Sequence, residues 1–117
     1  MDLGIKNKKA LITGGCNGIG AQVSIDLMQE GCKVTATTRS NKAGEEFISG
    51  LDPSLKNNFN YVLAELSSKN STNDFIKNNK FDYDILVNNA GHNLNLTNPI
   101  CSFDEWDSIL TLNFLSV

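Results

Sequence analysis

Thr13-Gly14-Gly15-Cys16-Asn17-Gly18-Ile19-Gly20 is the stretch whose reading decides the fold. The apolar run Ala10-Leu11-Ile12 just before it has the length and flanks of a buried strand. After it, Ile19, Val23, Leu27 and Met28 recur at roughly helical spacing, and Gly31 stands where a helix end favours positive φ. The spacing predicts a strand over 8–13 that turns, through glycines, into a helix over 18–30. Such a turn gathers backbone N–H groups and the positive end of a helix at one place, which suits a phosphate. Gly14 is expected to make the turn, Gly18 to admit a pyrophosphate close to the backbone, and Gly20 to let the helix pack on the strand. The pattern Thr-Gly-x-x-x-Gly-x-Gly is neither GxGxxG nor GxxxxGK(S/T). No lysine follows Gly20 to reach a terminal phosphate, which argues against an ATP or GTP hydrolase.

Downstream of the loop, the chain keeps alternating. Lys33–Thr38 (KVTATT) is rich in β-branched residues and reads as a second strand. A helix is expected near 42–51, a strand over 60–66, a helix over 72–79 and a strand over 84–88. Ser102 with Glu105 three residues on forms a capping box that opens a last helix. Alternation at this spacing implies βαβ units, a parallel sheet and right-handed crossovers. Ile85-Leu86-Val87 is unbroken apolar chain, as in a strand covered on both faces, and it runs straight into Asn88-Asn89-Ala90-Gly91. Ligands of open α/β sheets sit beyond the carboxyl ends of the strands, where this second motif lies.

The glycine loop, the Asn88–Gly91 motif and Asn113 in an apolar helix together resemble the N-terminal half of a classical short-chain dehydrogenase/reductase, closest in style to 3-oxoacyl-carrier-protein reductases. The resemblance covers nearly the whole chain. It implies an α/β Rossmann-type, doubly wound parallel sheet of which residues 1–117 hold the first half, with strand order 3-2-1-4. It also implies hydride transfer between a nicotinamide dinucleotide and a carbonyl or secondary alcohol. Thr13, Gly14, Cys16, Asn17, Gly18, Ile19 and Gly20 would contact the cofactor, as would Asn89, Ala90 and Gly91, with Asn88 more structural. Glu65 stands where relatives carry an Asp that accepts from the adenine amino group, and Leu66 would meet the ring edge through its backbone. Asn113 would belong to a catalytic Asn-Ser-Tyr-Lys set, holding a water linked to the lysine; a buried Asn with a purely structural hydrogen bond is the alternative.

The end of the second strand bears on cofactor type. NAD-preferring units place a carboxylate there for the adenosine 2′-OH, but here the chain reads Thr37-Thr38-Arg39-Ser40. Arg39 can face a 2′-phosphate. One charge-assisted hydrogen bond contributes about 2 kcal/mol, or roughly thirtyfold preference for NADP over NAD. A solvated surface arginine is the plainer reading.

Composition excludes other classes. The net charge of -3 and pI near 5.0 leave no basic surface for nucleic acid. No apolar run approaches a membrane span, and MDLGIKNKK lacks a signal core. Cys16, Cys32 and Cys101 are odd in number and scattered, as reduced thiols of a cytoplasmic protein would be. Asn70-Ser71-Thr72 and Asn95-Leu96-Thr97 are expected to be chance glycosylation matches. His92, the one histidine, has no ligand cluster near it in sequence, so no metal is expected. Cys16 reads either as small filler or, beside a helix N-terminus, as a thiol of lowered pKa.

The family's chemistry requires Tyr-x-x-x-Lys and an upstream Ser, yet neither Tyr61 nor Tyr83 is followed by Lys four residues on. Asn113–Val117 stops without a helix-terminating residue, and no strand follows the apolar fourth one. A chain that stops early and is inactive alone is therefore expected, and the resemblance implies a homo-oligomeric parent. Two other classes stand beside the reductase: a non-catalytic dinucleotide-binding module and a methyltransferase-like domain. The loop spacing and the missing acid after the second strand speak against the latter.

Overall fold

The computed structural model describes residues 1–92, 100 and 102–115. The Asn95-Leu96-Thr97 match, Cys101, the Phe114 side chain and residues 116–117 lie outside that description. The chain divides into two compact units, Met1–Leu63 with Phe81–Asn89, and Ala64–Lys80 with Ala90–Val117.

The first unit holds the whole sheet. Strand β1 (Lys9–Ile12) leads through α1 (Gly18–Gln29) to β2 (Lys33–Thr38), and α2 (Asn41–Gly50) with a 3-10 turn at Lys56–Asn58 leads to β3 (Phe59–Leu63). Strand β4 (Ile85–Val87) completes a four-stranded sheet in the order β3-β2-β1-β4, parallel throughout, as the sequence implies. Its core is built from Ala10, Ile12, Met28, Cys32, Val34 and Leu51, joined at the edges by Val23, Phe47, Phe59, Ile85 and Val87.

Local chemistry sets the boundaries. Gly31 ends α1 at φ 87°, and the Ser40 side chain accepts from the Ala43 N–H to start α2 at Asn41. Asp84 Oδ2 accepts from the Lys9 N–H at 2.9 Å while the Asp84 N–H donates to the Lys9 carbonyl at 2.8 Å, which fixes the start of β4 against the start of β1. β3 stops at Leu63, three residues short of the expected end. Leu63 is paired with Thr38, the last residue of β2, and beyond it the ladder has no partner because Arg39 and Ser40 turn into α2.

Two expectations of burial are corrected. Along α1 the buried stripe is Gly20, Ser24 and Met28, whereas Ile19 is 79% exposed, so Ile19 is no core residue. Leu86, in the middle of β4, is exposed while Ile85 and Val87 are half-buried, so among the described residues one face of β4 is covered and the other is not.

The second unit carries α3 (Lys69–Asn78), α4 (Phe103–Leu110) and a π-helical turn over Thr111–Leu115. α3 starts three residues before the expected Thr72 because Ser68 caps it, accepting from the Ser71 N–H at 3.1 Å. The capping box at Ser102 and Glu105 is present in full. Of the faces assigned to α4, Trp106 and Leu110 are exposed rather than packed.

Candidate functional site

The site in the first unit is the connection from β1 to α1. Gly14 and Gly18 both adopt positive φ, 67° and 53°, a region that side chains other than glycine rarely enter. The loop is held from below by its carbonyls and ends. The Thr13 N–H donates to the Val87 carbonyl at 3.0 Å, and Thr13 Oγ1 accepts from the Asn89 N–H at 2.9 Å. Asn89 Nδ2 donates to the carbonyls of Thr13 and Gly14 at 3.1 and 3.2 Å. The Asn89 amide thus ties the end of β4 to the turn after β1. The Gly14 N–H donates to Thr37 Oγ1 at 3.0 Å, bringing in the end of β2.

Three consecutive amides after that, those of Gly15, Cys16 and Asn17, have no acceptor among the described residues. The first helical amides of α1 are free of intrahelical partners by geometry, and Asn17 makes no side-chain cap for them. A row of unspent donors at a helix N-terminus is an anion cradle. It lies at the carboxyl end of β1, with Arg39 just beyond the carboxyl end of the neighbouring β2. Arg39 is exposed and has no ion-pair or hydrogen-bond partner among the described residues. A shallow hollow lined by Lys9, Lys33, Asn57, Asn60 and Tyr83 sits at the opposite, amino-terminal edge of the sheet, away from these groups.

Gly20 has a part that its spacing alone did not define. A Cβ built there would overlap the Gly14 carbonyl and press on Asn89 Nδ2, so it is the close approach of α1 to the loop and to Asn89 that excludes a side chain. Gly20→Ala is expected to cost about 3 kcal/mol of stability through overpacking. Denaturant unfolding checks it; an unchanged midpoint would mean that the loop can move aside at no cost.

Cys16 is buried at 6% exposure, and burial pushes its thiol up to about 11. Burial therefore acts against a lowered pKa and favours the plainer reading of Cys16 as small filler.

In the second unit, Asn113 clasps the backbone of His92. Its Oδ1 accepts from the His92 N–H at 2.9 Å, and its Nδ2 donates to the carbonyls of His92 and Ile109 at 2.8 and 2.9 Å. A side chain at Gly91 would overlap Asn113 Oδ1, so Ala90-Gly91 leaves room for the clasp. Asn113 is exposed rather than buried among apolar neighbours, but its amide is fully engaged. It lies in the π-helical turn, an irregularity often found at functional positions. Glu65 Oε1 accepts from the Ser67 N–H at 3.0 Å, a local turn, and Leu66 lies within that turn.

Three residues of the site were not singled out from sequence: Gly15, Ser24 and Thr37. Thr37 and Ser24 are buried polar side chains bonded to loop backbone. Polarity on an otherwise core-facing position was the available signal. Among the described residues no group of His, Cys, Asp or Glu side chains could hold a metal ion, and no helix is long and apolar enough to cross a membrane.

The family model for short chain dehydrogenases matches residues 8–117. The chain is 31% identical over 116 residues to the 3-oxoacyl-(acyl-carrier-protein) reductase FabG of Buchnera aphidicola, covering 97% of this chain and 46% of that protein. It is 32% identical to the reductase of the same name from Haemophilus influenzae, again spanning 97% of this chain and 46% of the relative. Among solved structures, the L-sorbose reductase of Gluconobacter frateurii in complex with NADPH and L-sorbose superposes at TM-score 0.78 with 26% identity, over 99% of this chain and 45% of that one. The chain thus spans about half the length of the relatives it matches.

Proposed function

The chain belongs to the short-chain dehydrogenase family, and from that premise we propose that residues 1–117 form one dinucleotide-binding Rossmann domain, the first half of an NADP(H)-dependent oxidoreductase. The observation that carries this reading is the row of unspent amides at Gly15, Cys16 and Asn17, held over the α1 N-terminus by a loop whose ends are tied to β2 and β4. Room beside the loop supports this reading: a Cβ built at Gly18, the first residue of α1, would meet nothing within 4 Å.

In this reading Thr13, Gly14, Cys16, Asn17, Gly18, Ile19 and Gly20 hold the pyrophosphate, chiefly through backbone. Arg39 selects the 2′-phosphate, while Glu65 and Leu66 lie along the adenine and Asn89, Ala90 and Gly91 beside the ribose. When bound, the cofactor supplies or accepts the hydride for a small-molecule carbonyl or secondary alcohol. Asn113, by clasping His92, fixes the backbone beside Gly91. Its π-helical setting supports a place in the proton relay. In the same reading the chain by itself binds cofactor weakly at best and does not turn over, and its parent is cytoplasmic and homo-oligomeric.

Titration calorimetry with NADPH, NADH and S-adenosylmethionine tests the proposal. NADPH is expected to bind about thirtyfold more tightly than NADH, and S-adenosylmethionine not at all. Binding of the methyl donor alone, or of no dinucleotide, would sink it.

A further inference from the structure

We infer that Ser24 is a positioning residue that sets the polarity of the phosphate cradle, an inference that rests on the dinucleotide reading above. Ser24 is fully buried on α1. Its Oγ lies 2.9 Å from the Gly15 carbonyl and 2.9 Å from the Gly20 carbonyl. A hydroxyl has one proton for these two acceptors. The Gly20 carbonyl is its own helix's i−4 group and has a place in the α1 ladder, so the Gly15 carbonyl depends on Ser24 more heavily.

The consequence lies in the peptide between Gly15 and Cys16. In a trans peptide the C=O and N–H point to opposite sides. By drawing the Gly15 carbonyl toward α1, Ser24 sends the Cys16 N–H the other way, and that amide is one of the three without an acceptor among the described residues. Gly15 is the residue at which the unit could turn over, since glycine tolerates either orientation. Turned over, it would present a carbonyl lone pair to the phosphates in place of a donor. Gly15 itself cannot be replaced to prevent this, because a Cβ there would lie 2.7 Å from Ala36 Cβ and 2.9 Å from Ser24 Oγ. The restraint comes from the helix instead.

The test is Ser24→Ala, with Ser24→Cys as a near-isosteric variant that keeps a weak donor. Alanine is the better helix former, so the fold is retained. NADPH affinity is expected to fall about tenfold in Ser24→Ala and by less in Ser24→Cys. Affinity for adenosine 2′-monophosphate, which carries no pyrophosphate, is expected to stay unchanged in both. The Cys16 amide resonance of the unliganded protein should shift in Ser24→Ala. Equal NADPH affinity in wild type and Ser24→Ala, or an equal loss for both ligands, overturns the inference. A wild type that binds no NADPH overturns the dinucleotide reading itself, and an unmoved Cys16 resonance then removes the peptide-orientation step independently.

Discussion

Asn89→Asp is expected to be among the most damaging single-atom exchanges in the first unit, lowering stability by about 3 kcal/mol near neutral pH. The wild-type amide nitrogen donates to two carbonyls, those of Thr13 and Gly14. The exchange puts a negatively charged acceptor against two acceptors at the same distances. Water cannot fully compensate, because α1 packs against this amide closely enough that even a methyl at Gly20 would press on it. The pH dependence follows from the sign of the shift. The new carboxyl is more stable protonated in the fold, so its folded pKa lies above its unfolded value of about 3.9. The penalty is therefore small below the unfolded pKa, grows as pH rises through the window, and is complete above the folded pKa. Urea unfolding of Asn89→Asp and wild type at pH 4 and pH 7 checks both size and direction. A gap that is equal at the two pH values would mean that the carboxyl escapes to solvent, and that the amide does not hold the loop.

How far this tie could be read from sequence shows what the one-dimensional pattern carries. The strand, turn and helix around Thr13–Gly20 were legible because each rests on local chemistry: an apolar run, glycines where φ turns positive, and Gly31 at the helix end. The 3-2-1-4 order came with the alternation and the family resemblance. What stayed hidden depends on residues far apart in the chain. β3 ends where β2 runs out of partners, a fact about register rather than about Ala64–Leu66 themselves. Ile19 has the spacing of a core residue yet stands exposed at the first turn, because the face of α1 that packs inward runs through Gly20, Ser24 and Met28. Ser24 and Thr37 carry one local signal, a hydroxyl at a core-facing position, and that signal does not say which backbone group the hydroxyl meets. Their meaning lies in the carbonyl and amide they meet across the loop. Cys16 shows the competing case. Proximity to a helix N-terminus argued for a lowered pKa, whereas burial acts against it and pushes the thiol up.

Arg39→Asp is expected to reverse cofactor preference. In the proposed complex, wild-type Arg39 meets the 2′-phosphate with a charge-assisted hydrogen bond of about 2 kcal/mol. The exchange removes that attraction, sets like charge against the phosphate, and offers the 2′-OH of NAD(H) an acceptor of the kind that selects it. Together these changes amount to about 4 kcal/mol, so the NADPH-to-NADH affinity ratio should fall roughly a thousandfold, from favouring NADPH to favouring NADH. Stability should hardly move, since Arg39 is exposed and makes no hydrogen bond or ion pair among the described residues that the exchange would break. This separates the effect from the changes at Gly20 and Asn89, which act on the fold as well as on the loop. Calorimetric titration of both cofactors into both proteins, alongside their melting temperatures, decides it. If the affinity ratio stays constant while both dinucleotides still bind, Arg39 is a solvated surface residue, and discrimination of the 2′ position, if any, falls to other groups past the end of β2. If the ratio reverses without loss of melting temperature, the guanidinium at the end of β2 is the specificity element. The absence of a carboxylate from Thr37-Thr38-Arg39-Ser40 then has its physical explanation in the charge of the ligand.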